Sequence, residues 1–189
     1  MQKARIRTGW KNKQRQVSVS EFANATSAIC WRMALNAAKN LHEQDFVYDN
    51  DDQRLGVIRE YLYFFIHCAD RLSYASLSQE AREEFINTLS VDCRRHYIQN
   101  AREITGRQVD AENYTEELNQ TAGGLAGLSF PDEGPGYDMY RMLGSRILDI
   151  MGESQTNKWV IDQVMDIDGP NAFDIFSKSF LKLKRSSGL

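Results

Sequence analysis

Asp92, His96 and Asn100 recur every fourth residue in a segment with no helix breaker. At about 100° per residue this spacing puts a carboxylate, an imidazole and an amide on one face of a helix. The same wheel places them within the stripe formed by Ala81, Phe85, Leu89, Cys93 and Ile104. Polar groups on an inward face need partners. A carboxylate beside an imidazole can hold it in one tautomer, as general-base and metal-ligand histidines require. The alternative is a self-satisfied polar seam that sets helix register. Asp92, His96 and Asn100 are therefore the candidate site, and the Gly/Pro-rich segment 123–136 is a candidate lid.

Glu60, His67 and Asp70 lie in a second unusual stretch, EYLYFFIHCADRLSY, at 60–74. On the wheel Val57, Ile58, Tyr61, Phe65, Cys68, Ala69 and Leu72 fall on one side. Arg59, Glu60, Tyr63, His67, Asp70, Arg71 and Tyr74 fall on the other, which reads as a wet or partner-facing stripe rather than a core. Tyrosine and arginine are favoured at protein contacts. Tyr63, His67, Arg71 and Tyr74 are thus an expected interaction surface, joined by Phe176 and Phe180 of the last helix.

If the two segments form a hairpin turning near Leu77, Glu60 comes nearly level with His96 and joins it as a fourth candidate. His67 is displaced from His96 by nine residues, or ~13 Å along the axis, so one metal cannot bind both. A single Glu-x6-His offers no di-metal pattern. No phosphate-cradling loop or zinc spacing is present, and no metal or cofactor is expected. Asp49-x-Asp51-x-Gln53 has Arg54 where a calcium loop needs glycine.

The elements that must position these groups are helical. Ser18-Val-Ser-Glu21 has the form of a capping box and opens a helix reaching about Leu41. Asp49, Asp51 and Asp52 open a second, which runs to about Ala75, and Ser78 opens a third that ends at Gly106. Asp110 starts a fourth, followed by the loop 123–136. A fifth spans 137–151, with Met139, Leu143, Ile147 and Ile150 on one stripe. A sixth covers about 156–166, and Asp168-Gly169-Pro170 breaks the chain before the last. With three prolines in 189 residues, the expected fold is all-α. It is a single-domain bundle of six or seven helices, the first three long and antiparallel, preceded by a basic arm over 1–17.

Net charge is −3, but it is unevenly spread. Residues 1–20 carry six basic residues and no acid, and the last twelve carry Lys178, Lys182, Lys184 and Arg185. The remaining 13 basic residues face all 26 acidic ones, so the body 21–177 is −13. Basic ends could serve nucleic acid or an anionic membrane, and Phe173, Phe176 and Phe180 near lysines could form a membrane-surface helix. Packing on the chain's own body is the commoner outcome. Cys30, Cys68 and Cys93 have no metal or redox spacing and read as reduced, packed thiols in the cytoplasm. Together these features lead to a non-enzymatic helical binding protein, self-associating or held by another protein. An enzyme or small-ligand binder built around Asp92, His96 and Asn100 is the alternative, and association through the basic ends a third.

Overall fold

A computed structural model describes residues 17–189 apart from 133, 153, 155 and 156. The basic arm lies outside the described residues except for its last position. So does the expected start of the sixth helix at Thr156.

Helix α1 spans Val19–Glu43. Its capping box is complete. Ser18 Oγ accepts from Glu21 N–H at 3.1 Å, and Ser18 N–H donates to Glu21 Oε2 at 3.0 Å. Such a cap contributes about 1 kcal/mol. Ala23, Ala34, Ala37 and Ala38 are buried along it and let neighbouring helices approach closely. Helix α2, Asp51–Ser73, is capped by Asn50, and α3, Gln79–Thr105, by Ser78. Gly106 ends α3 with a left-handed φ of 69°, a conformation that glycine adopts without a Cβ clash. Side-chain pairs fix the directions. Ser20 meets Glu84, Asn24 meets Asp92 and Ser27 meets His96, so α1 and α3 run parallel, with α2 antiparallel to both.

Helix α4 spans Ala111–Ala126 and α5 Tyr137–Met151. Gly123 and Gly124 are therefore helical, and the expected loop starts only at Gly127. Buried Leu125 anchors this last turn. Gly124 admits the Met142 side chain so closely that a Cβ there would lie 2.7 Å from its methyl carbon. Helix α5 runs antiparallel to α2, with Ile150 against Gly56, Arg146 on Glu60 and Tyr140 beside Phe64.

Beyond α5, a short helix α6, Val160–Gln163, passes through a π-turn at Val164–Asp168 into α7, Gly169–Ser187. Asp168-Gly169-Pro170 does not break the chain. Proline lacks the N–H that an α-helix needs and crowds the preceding turn. Here the turn widens instead, and Gly169 N–H donates to Val164 O, five residues back. Pro170 then occupies the first turn of α7, where its missing donor costs nothing. Asn157 ties this region to the α1–α2 connection. Its amide accepts from Val47 N–H at 3.0 Å and donates to Val47 O at 2.9 Å.

Among the described residues there is no strand, and the helices form one bundle centred on α2. Helices α1, α3, α4, α5 and α7 all touch α2. Every residue from Leu55 to Ala69 except Arg59 is consequently buried. Phenylalanines seal α7 to this centre. Phe176 stacks on Phe65 at 4.8 Å, and Phe180 lies 5.4 Å from Phe22, which stacks on Phe85 at 5.0 Å. No described helix is long and apolar enough to cross a membrane.

Candidate functional site

Helix α1 meets two of the three polar residues expected on the inner face of α3, Asp92 and His96. Asp92 is buried, but its carboxylate accepts from Asn24 Nδ2 at 3.0 Å on α1 and pairs with Arg95 at 2.8 Å. It does not orient the imidazole. His96 is half-buried, 3.4 Å from Ser27 Oγ through Nε2, and its ring stacks on Trp31 at 6.2 Å. The Ser27 hydroxyl proton is committed to Asn24 O at 2.7 Å, so Ser27 Oγ accepts from His96 Nε2–H. Burial pushes the imidazole down from its ordinary pKa, Arg95 lowers it further and Asp92 opposes both. Asn100 Nδ2 donates back to His96 O at 2.8 Å, a local bond within α3. The three residues thus form separate contacts, with no carboxylate–imidazole pair. Segment 127–136 packs through Phe130 on Phe173 and Arg71, and is no lid for them.

The wheel's division of α2 is overturned. Glu60, Tyr63 and His67 are buried, because neighbours surround α2 on every side. Glu60 is directed at α5, not at His96. Its carboxylate accepts from Arg146 at 2.5 and 3.2 Å, with Arg59 at 3.7 Å. Arg59 in turn pairs with Glu117 on α4 at 2.9 Å. Tyr63 donates to Tyr114 O at 3.0 Å and locks α4 in place. His67 is buried with Nε2 lacking a protein partner. Burial is the first cause lowering its pKa, Arg71 and Arg82 add to it, and Asp70 opposes. Only Arg71 and Tyr74 of the expected contact surface are exposed, and Tyr74 sits over the Arg82 guanidinium, which Asp70 grips at 2.6 Å. Phe176 and Phe180 are fully buried. The phenylalanine face of α7 is thereby used inside the bundle.

Cys30, Cys68 and Cys93 are buried free thiols. Burial pushes Cys93 well above its usual pKa, and the neighbouring Cys30 thiol adds to this across the α1–α3 seam. Among the described residues, no three or more His, Cys, Asp or Glu side chains are grouped to hold a metal ion.

A concave site does exist, where sequence reasoning did not look. It is a depression of about 460 Å³ at the end of the bundle where α1 finishes, α2 begins and α3 finishes. Leu35, Ala38, Ile58 and Ile104 form its apolar lining, and Lys39, His42, Tyr48, Asn50, Asp51 and Arg54 its polar one. Tyr48 is fixed by donation to Ala38 O at 2.8 Å, and the His42 and Tyr48 rings stack at 6.4 Å. Burial raises the Tyr48 hydroxyl far above its ordinary pKa, so it stays a neutral donor. No motif marks this site, since its members come from three helices and one connection. The one residue in the sequence that could have pointed to it is His42, a histidine in the last turn of α1. Comparison with protein-family models, with curated proteins and with solved structures finds no match for this chain.

Proposed function

We propose that this chain is a non-enzymatic helical binding protein that works as a homodimer joined through its charged end. One observation supports the reading. The start of α3 and the finish of α7 meet at the same end as the start of α1, through the Phe22, Phe85 and Phe180 contacts. Exposed Glu80, Glu83 and Glu84 belong to the first, and exposed Lys182 and Arg185, with half-buried Lys184, to the second. A surface that carries both signs is self-complementary about a two-fold axis: the basic strip of one copy meets the acidic strip of the other, and the reverse. A reducing, cytoplasmic setting belongs to the same reading, in keeping with three buried free thiols.

Light scattering over a range of concentrations, at low and at high salt, tests it. The expected result is a dimer at low salt that dissociates as salt screens the contact. Reversal of Glu80, Glu83 and Glu84 to lysine should give a monomer with unchanged helicity. A strict monomer at low salt and high concentration overturns the reading.

A further inference from the structure

The depression at the opposite end of the bundle lies far from the charged contact above and carries its own chemistry. Leu35 and Ile104 are 39% and 38% exposed although both are large and aliphatic, and both open into this one depression. Ile58 and Ala38 are buried beneath them. Apolar surface gathered from three helices in one concavity differs from single exposed leucines, which any protein shows. Its volume lies within the range of small-molecule sites.

The polar lining is selective in sign. The body of the chain from 21 to 177 carries −13, yet this depression is lined by two cations, Lys39 and Arg54, against the single carboxylate of Asp51. Arg54 reaches Asp51 through one terminal nitrogen at 2.8 Å and leaves its Nε–H without a protein partner. Lys39 pairs with Glu43 at 3.0 Å on an exposed turn, a contact that contributes little in water and is readily exchanged. Asn50 is occupied as the cap of α2, so the helix start itself is already satisfied. Each cation thus keeps N–H donors beyond its one ion pair, above an aliphatic floor.

We propose that this depression binds a small amphiphile, a free molecule with an aliphatic body and one anionic head such as a carboxylate. The body lies across Leu35, Ile58 and Ile104, and the head meets Lys39, His42 and Arg54. Burial of the body supplies most of the affinity, and the cations select for the head.

Dodecanoate, kept below its micelle-forming concentration, is a direct probe on the full chain, with dodecanol as the uncharged control. Amide resonances followed by NMR should shift at Leu35–His42, Tyr48, Arg54–Ile58 and Ile104. Calorimetry should show dodecanoate binding several-fold tighter than dodecanol. Leu35→Glu, at a half-exposed position the fold tolerates, should weaken dodecanoate at least tenfold with helicity unchanged. Arg54→Gln together with Lys39→Gln should remove the preference for the acid and leave dodecanol binding as it was. If L35E proves unfolded, Ile104→Glu carries the same expectation. Equal binding of acid and alcohol, shifts confined to other surfaces, or unchanged affinity in the folded glutamate variant would each overturn the proposal.

Discussion

Glu60 on α2 and Arg146 on α5 form a two-pronged ion pair across 86 positions of sequence, with the carboxylate at 2% exposure. A carboxylate so buried is stable only while its guanidinium partner is present, because desolvation of an unpaired charge exceeds most single contacts. The pair also faces Arg59, which links to Glu117, so α2, α4 and α5 share one charge network.

Removal of one partner is therefore more damaging than removal of both. Arg146→Ala should lower unfolding free energy by about 3 kcal/mol. The double change Glu60→Leu with Arg146→Met should cost clearly less than the two single changes added together. Urea denaturation of Arg146→Ala, of the single changes Glu60→Leu and Arg146→Met, and of their combination measures both; simple additivity would show that the pair is not coupled.

Asp168 closes the π-turn with its carboxyl buried, and its Oδ2 has no protein partner. Burial raises its pKa, and the Gln163 contact at 3.3 Å only partly offsets this. The folded chain then holds more protons here than the unfolded chain between the ordinary value of 3.8 and the raised one. Stability at this position is greatest below 3.8 and is lost as pH rises through the folded value. Asp168→Asn should raise the thermal midpoint at neutral pH, with the gain vanishing toward strong acid. A midpoint unchanged at neutral pH would mean that the carboxylate is solvated after all.

The opposite sign holds for His67. Burial disfavours its imidazolium, so the unfolded chain takes up the proton first as pH falls below the ordinary 6.5. Stability at His67 is full above 6.5 and is lost below it, down to the lowered folded value. His67→Leu should flatten this part of the stability profile, measured by denaturation at closely spaced pH values. An identical acid profile in the variant would place the sensitivity on another group.

The bundle was legible in short-range features because short-range physics sets them. Ser18-x-x-Glu21, Asn50, Ser78 and Asp110 cap helices with side chains that reach only two or three residues, and Gly106 ends one through its own backbone freedom. Runs free of proline between such signals read directly as helices. Two boundaries went the other way for tertiary reasons. Gly124 stays helical by making room for Met142, and Gly169-Pro170 continues through a π-turn packed against Tyr140.

The facing of α2 was not legible, and with it neither was the site. A helical wheel separates sides, but it does not count neighbours. Glu60, Tyr63 and His67 read as a wet stripe because charge and hydroxyl normally face water. Helices α4 and α5 supply Arg146 and Tyr114 O, which satisfy Glu60 and Tyr63 and let that stripe be buried. Asp92 was assigned inward correctly, yet its partner proved to be Asn24 on α1 rather than His96 on its own helix. The depression beside His42 draws on residues from Leu35 to Ile104, and only their convergence makes it concave. Caps, breakers and apolar spacing act within a few residues and are written in the chain itself. Partners supplied by other helices, and the hollow that three helix ends leave between them, exist only once the chain is packed.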